Sequence, residues 1–306
     1  MIFASASQLA QRSPKVCLAI GFFDGVHLGH QQIIRQTIAD ARQHEATAAV
    51  VTFDVHPNSI VSPKRTPLLI HSLERKLRRI ESLGADALLL LHFDKAFSIQ
   101  TGEEFIRSLA GHFKSVRSIC VGANFVFGHQ RSGDVKLLKT LGGELGFVVH
   151  GLAAVALDGK TVSSTRIREA IAAGDFDGAS QMLGRSYALA GRVTKGDGIG
   201  RQLGFPTANI DTAGLVLPPK GVYAVQVRFS GRLYRGVLNI GLRPTLNNAT
   251  PVLRVEVHLL DFAAELYGQE LELFLVSRIR DERKFPSVKE LREQIARDIL
   301  EAQLRF

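Results

Sequence analysis

Near residue 185 the periodicity of this chain changes, and that change limits the fold more than any other feature. Before it, continuous apolar runs alternate with stretches whose apolar residues recur every three or four positions. The runs are Val16–Ile20, Ala48–Phe53, Ala87–His92, Ile119–Val121 and Phe147–His150. Gln31–Gln43, Ser72–Leu83, Gly102–His112 and Val135–Leu145 read as helices between them, with Thr165–Ala173 and Phe176–Leu183 closing the half. Uninterrupted apolar strands separated by helices predict a parallel sheet covered on both faces, with ligands at the carboxyl ends of its strands. After Gly184-Arg185 the helical period stops. Ala188–Thr194, Val222–Phe229, Tyr234–Ile240, Leu253–Leu260 and Leu271–Val276 then read as strands, joined by turn-rich pieces. That spacing predicts an antiparallel sheet or barrel. One helix ends the chain, with Ser287 and Glu290 as a capping box and Val288, Leu291, Ile295 and Ile299 as its apolar stripe. The expected organisation is therefore α/β then β, with domains at 1–184 and 185–306.

At 306 residues, 45% hydrophobic and 22% charged, each half is large enough to bury a core of its own. The net charge of +9 favours anionic partners. No long basic block is present, Trp is absent and Tyr numbers four, which argues against a base-stacking platform and favours small phosphorylated substrates. Cys17 and Cys120 lie in apolar strand-like runs and read as reduced core residues. The first fifteen residues contain no long apolar core, and no run approaches the ~18 apolar residues of a membrane span. A cytoplasmic setting without membrane attachment is expected.

Several loops follow predicted strands directly. Gly21-Phe22-Phe23-Asp24-Gly25-Val26-His27-Leu28-Gly29-His30 joins the run ending at Ile20 to a helix. A strand–turn–helix of this kind gathers backbone N–H groups and a helix N-terminus, an anion site to which His27 and His30 can add hydrogen bonds or charge. Both histidines could instead simply cap the helix. Ser163-Ser164-Thr165-Arg166 opens a second helix, with hydroxyls for capping or oxyanion binding and an arginine to clamp phosphate. In Gly122-Ala123-Asn124-Phe125-Val126-Phe127-Gly128 the amide can read a base edge or phosphate, and at least one phenylalanine reads as core. Thr52-Phe53-Asp54-Val55-His56-Pro57 is another such loop. Ala154–Thr161 matches a loose phosphate-loop pattern, but Val155-Ala156-Leu157 prefers strand and Asp158-Gly159 predicts a hairpin turn.

In the second half, Gly196-Asp197-Gly198-Ile199-Gly200-Arg201 can close over phosphates or be a plain surface loop. Thr207 and Asn209, in Gly204-Phe205-Pro206-Thr207-Ala208-Asn209, are neutral oxygen ligands suited to Mg²⁺ already carried by ATP. Asn239–Thr245 reads as a second polar loop. Glu256, in the alternating Arg254–His258, is either a solvent-facing strand residue or a carboxylate aimed at a hydroxyl nucleophile.

Taken in order, GFFDGVHLGH, TFDVHP, GANFVFG, SSTRIR, GFPTAN, NIGLRPT and EVHLLDF…LYG make the chain resemble the bacterial bifunctional riboflavin kinase/FAD synthetase family from about residue 15 to 305. The resemblance implies a Rossmann-like nucleotidyltransferase-type domain that adenylylates FMN, and a six-stranded antiparallel barrel with a terminal helix that phosphorylates riboflavin. It implies ATP as co-substrate, Mg²⁺, and FMN and FAD as products. Residue by residue it places Gly21, Phe22, Asp24, His27, His30, Asn124, Ser164, Thr165 and Arg166 on ATP, with His56, Pro57 and Phe127 on the flavin side. In the kinase it places Gly196, Gly198, Gly200, Thr207 and Asn209 on ATP, Thr207 and Asn209 on Mg²⁺, Glu256 as general base, and Arg280 and Phe285 over the flavin. Val55 departs from the TFDPHP or TFEPHP form frequent in the family. The rival readings are a single-activity enzyme with one degenerate domain, and a nucleic-acid or regulatory flavin-binding protein. Intact motifs in both halves and the missing basic stripe oppose them.

Overall fold

A computed structural model describes residues 1–245 and 248–306, the side chains of 243–252 lying outside that description. The chain forms two compact units, 1–166 with 182–184, and 167–181 with 185–306.

In the first unit, β1 (Ile2–Phe3), β2 (Lys15–Ile20), β3 (Thr47–Phe53), β4 (Ala87–Leu91), β5 (Ser115–Gly122) and β6 (Val148–Leu152) form one sheet in the order β1-β4-β3-β2-β5-β6. Every pairing in it is parallel. The continuous apolar runs are explained by burial on both faces. Leu18, Ile20, Val51, Leu89, Ile119 and Val121 pack to one side with Phe105, Ile106, Leu138 and Leu141. Ala19, Val50, Leu88 and Cys120 pack to the other with Ile33, Ile34, Leu77 and Ile80. The chain leaves β2 for β3 on one side and reaches β5 on the other, so the sheet reverses direction at β2, the place where open α/β sheets carry their ligand crevice.

Three elements depart from the sequence reading here. The edge strand β1 and helix Ala6–Arg12 are added, and the helix expected from Gln31 begins at Leu28. The Asp158-Gly159 turn joins strands Ala156–Leu157 and Lys160–Thr161 into an antiparallel hairpin. Both turn residues have positive φ, 52° and 72°, as that turn requires.

In the second unit, β7 (Leu189–Thr194), β8 (Ala208–Ile210), β9 (Gly221–Phe229), β10 (Arg232–Thr245), β11 (Asn248–Leu259) and β12 (Glu270–Arg280) close into an antiparallel barrel, β7-β8-β11-β10-β9-β12. Val225, Val227, Leu238, Ile240, Val257, Leu271 and Leu273 fill it, all fully buried. Asn239–Thr245 belongs to β10 and is not a loop, although the side chains of Arg243 to Thr245 lie outside the described residues. Helix Val288–Gln303 starts as expected, with the Ser287 hydroxyl accepting from the Glu290 backbone N–H at 3.2 Å. Its stripe is shorter than expected. Leu291, Ile295 and Ile299 line a cavity, while Val288 is 67% exposed.

Two candidate active-site clefts

In the first unit a cleft of about 440 Å³ opens at the carboxyl ends of β2, β5 and β6, and Gly21, Phe22, His27, His30, Asn124, Phe125, Ser163 and Ser164 are among its lining residues. The turn that precedes the helix is strained. Phe23 and Val26 have φ of 58° and 43°, in a region that costs non-glycine residues about 1–3 kcal/mol each. Surrounding groups hold it there. The Asp24 carboxylate accepts from the Ile70 N–H at 3.0 and 3.2 Å. The Gln31 amide donates to the carbonyls of Val26 and Leu183 at 3.0 and 2.8 Å. Gly25 is required: its φ is 77°, and a Cβ would sit 2.8 Å from the Ile70 Cδ1.

His27 caps the helix, its Nδ1 accepting from the His30 N–H at 3.4 Å, and the two imidazoles stack with centroids 3.6 Å apart. Capping and facing the cleft are therefore one arrangement. Burial, then His27 and Lys76, hold the His30 pKa well below the usual histidine range, so its imidazole is neutral at neutral pH. Its Nδ1 is buried without a hydrogen-bond partner. A bound anion would raise that pKa and draw a proton onto the ring.

The other expected residues of this unit divide. Ser164 lines the cleft and donates from its hydroxyl to the Asp24 carbonyl at 3.0 Å. Ser163, also on the cleft wall, caps its helix, accepting from the Arg166 N–H at 3.2 Å. Thr165 is exposed. The Arg166 guanidinium grips the hairpin, donating to the carbonyls of Leu157 and Lys160 at 3.3 and 3.1 Å, and does not line the cleft. Asp24 is 3% exposed, and its carboxylate faces the Ile70 N–H. His56 packs edge-on against Phe22 at 4.7 Å and accepts from the Asn58 N–H, just beyond Pro57. Phe127 does not line the cleft but stacks on Phe125, which does, and covers Gly133. Sequence reasoning missed Lys76. Its signal is faint: a lysine on the apolar face of a helix, beside Leu73, Leu77 and Ile80.

In the second unit, a cavity of about 390 Å³ brings together Gly200, Thr207, Glu256, Arg280 and Phe285, with Asn239, Arg254 and Glu282 also on its wall. A second cleft of about 510 Å³, reaching Arg201 and the 262–267 segment, shares Thr207 with it. Strand alternation directs Arg254, Glu256 and His258 to one side and buries Val255, Val257 and Leu259. In the ladder Glu256 stands opposite Asn209 of β8 and Asn239 of β10. Asn209 and Gly196 are packed together, since a Cβ on Gly196 would overlap the Asn209 amide at 2.1 Å. A Cβ on Gly200 would meet the Thr207 hydroxyl at 2.9 Å. The glycine segment thus lies directly on both candidate magnesium residues. Gly198, at φ 70°, begins the short helix Ile199–Gln202.

Arg280 is already engaged. Its guanidinium donates to the buried Asp298 carboxylate at 2.8–3.1 Å, tying the terminal helix to β12. Phe285 lies beneath the guanidinium groups of Arg280 and Arg283, at 5.5 and 4.9 Å. Among the described residues no cluster of three or more His, Cys, Asp or Glu could hold a metal.

Residues 9–166 match the FAD synthetase family model, and residues 183–306 match the riboflavin kinase family model. The chain belongs to the bifunctional riboflavin kinase/FMN adenylyltransferase family. Proteins of that name from Haemophilus influenzae and Escherichia coli K12 are each 39% identical to it, over 94% and 97% of this chain and 94% and 95% of theirs. The Bacillus subtilis member is 37% identical over 96% of this chain and 93% of its own length. A crystal structure from Streptococcus pneumoniae described as a macrolide-efflux protein superposes with a TM-score of 0.81 at 28% identity, over 99% of this chain and 98% of that one. That description belongs to that protein, whereas the curated relatives matched along nearly the whole chain are named bifunctional riboflavin kinase/FMN adenylyltransferase. Among the described residues no helix is long and apolar enough to cross a membrane.

Proposed function

We propose that the two halves of this enzyme divide its chemistry near residue 184, one cleft for each step. The chain phosphorylates riboflavin to FMN with ATP, releasing ADP, and adenylylates FMN to FAD with a second ATP, releasing pyrophosphate. The observation that carries the division is the contrast in acid–base equipment. The lining of the first cleft contains two imidazoles and no carboxylate or fixed cation, whereas the barrel cavity contains Glu256.

An FMN phosphate is already ionised, so its attack on the α-phosphorus of ATP needs positioning and charge neutralisation but no base. His27, His30 and the helix N-terminus supply that at the switch point of the sheet. Gly21 and Phe22 let the backbone approach, and Asn124 and Ser164 contact ATP from the facing loops. Thr165 and Arg166 act on the departing pyrophosphate, Arg166 after leaving the hairpin carbonyls. His56, Pro57 and Phe127 serve the flavin side.

The 5′-hydroxyl of riboflavin is a poor nucleophile until its proton is removed. Glu256 takes that proton as the oxygen attacks the γ-phosphorus. Thr207 and Asn209 would hold Mg²⁺ with the ATP phosphates, where it neutralises charge on the transferred group. Gly196, Gly198 and Gly200 bring backbone N–H groups to those phosphates, and Arg280 and Phe285 close over the flavin. A cytoplasmic setting, with no nucleic-acid or membrane partner, belongs to the same proposal.

The test is to incubate the protein with riboflavin, ATP and Mg²⁺ and to separate the flavins by chromatography. FMN followed by FAD is expected. FMN alone, with added FMN left untouched, would sink the assignment of the first cleft.

A further inference from the structure

Beneath the first cleft lies a buried cation that the mechanism above does not use. Lys76, 3% exposed, enters from helix Leu73–Glu81 below the two loops that leave β2 and β3. Its Nζ donates to the Phe22 carbonyl at 3.2 Å, to the Thr52 hydroxyl at 3.2 Å and to the Phe53 carbonyl at 2.8 Å. It also sits 4.1 Å from the centre of the Phe22 ring. Phe22 belongs to the loop assigned to ATP. Phe53 immediately precedes the Asp54–Pro57 loop assigned to the flavin. The two segments are also joined by the Thr52 hydroxyl, which donates to the Phe22 carbonyl at 3.1 Å, and by the edge-on contact of the Phe22 ring with His56.

An ammonium group costs several kcal/mol to bury, and a lysine that only packed could keep its charge in water by extending outward. This one spends its three donors on the Phe22 carbonyl of the ATP loop and on Thr52 and Phe53, at the end of β3 that leads into the flavin loop. We propose that Lys76 is a positioning residue for adenylyl transfer, fixing the spacing between the ATP loop and the flavin loop. It touches neither substrate. Its effect falls on the alignment of the two bound substrates, which is why it should govern turnover more than the affinity for either one. The inference rests on the assignment of the first cleft to FMN adenylylation.

Protonation gives a second handle. Burial lowers the Lys76 pKa to about 8, opposed by the carboxylates of Asp24 and Asp54. The charged or titratable groups facing it are Asp24 in the 24–26 turn, Asp54 after β3 and the His30 imidazole in the next helix. A neutral amine has two N–H donors and cannot serve three acceptors, so the clasp loosens as pH rises through that value.

The experiment compares wild type, Lys76→Met and Lys76→Arg in the full chain, following FMN formation and FAD formation separately. For Lys76→Met, kcat of FMN adenylylation should fall ~10- to 100-fold, with KM for ATP and FMN within about threefold and the kinase step unchanged. Unchanged kcat in a folded Lys76→Met protein overturns the proposal, as does a loss confined to KM. Wild-type adenylylation should also decline above about pH 8 while the kinase does not, and Lys76→Arg, which stays charged, should lack that decline. If Lys76→Met fails to fold, the wild-type profile decides: a flat one to about pH 9.5 overturns the proposal. A wild-type protein that makes no FAD at any pH would instead overturn the assignment of the cleft.

Discussion

The two clefts solve related problems with opposite materials. The first is lined by glycines, apolar side chains such as Ile20, Phe22, Ile33 and Phe125, small hydroxyls, an asparagine and two imidazoles, at the switch point of a parallel sheet. The barrel cavity carries Arg254, Glu256, Arg280, Glu282, Arg283 and Asp298 on its wall. A phosphate nucleophile brings its own charge and needs a preorganised cradle that neutralises it, where a carboxylate would repel it. An alcohol nucleophile needs a base, and carboxylates in a cavity must be balanced by cations. On the proposed assignment of the two clefts, the difference teaches that the charge state of the attacking group, rather than the shared use of ATP, sets the composition of each site.

The strongest way to break this comparison is the double substitution of His27 and His30 by Ala. FMN adenylylation should fall by ~10³-fold or more, with riboflavin phosphorylation intact, when FAD and FMN are quantified separately. Glu256→Gln should produce the reverse, a loss of ~10²- to 10⁴-fold in the kinase step with adenylylation spared. If either variant, still folded, lost both activities, the division of labour would be wrong.

Smaller effects sharpen the picture. Gly25→Ala places a Cβ against Ile70 at positive φ, and thermal unfolding should report a loss of about 1–3 kcal/mol in the first unit, with adenylylation reduced and the kinase unaffected. Asp298→Asn should weaken the hold of the terminal helix on Arg280. We expect about 1–3 kcal/mol of destabilisation in the barrel unit and a raised KM for riboflavin, read from denaturant titration and kinase kinetics.

The smallest effect is a pH dependence confined to the first unit. His30 binds its proton less readily folded than unfolded, so between its depressed pKa and about 6.5 the unfolded chain holds more protons. Stability from this group is therefore complete above about pH 6.5 and declines as pH falls below it. ATP should oppose that decline by favouring the charged ring. A His30→Asn variant whose melting temperature showed the same acid dependence would remove His30 as its source.

Local features were legible in the chain because each is written in a few neighbouring residues. Five of the six strands of the sheet, the Asp158-Gly159 hairpin and the Ser287 cap follow from period, turn chemistry and capping. The strand β8 was not legible, because three residues carry no measurable period and Asn209 reads as loop in isolation. Asn239–Thr245 misled for a related reason: its polar and glycine residues suggest a turn, yet long pairing with β11 keeps it extended.

What the sequence alone determined about this protein is the pair of architectures and the chemistry-bearing motifs at the ends of its strands. Tertiary structure alone decided who meets whom. It set Glu256 opposite Asn209 and Asn239 and laid Gly196 and Gly200 on Asn209 and Thr207. It turned Arg166 to a hairpin, gave Arg280 to Asp298, and drew Lys76 under two loops that lie 23 and 54 positions away from it. The physical reason is that a motif specifies donors and acceptors, whereas partners separated by tens of residues are chosen by packing, which decides which buried polar groups find one another.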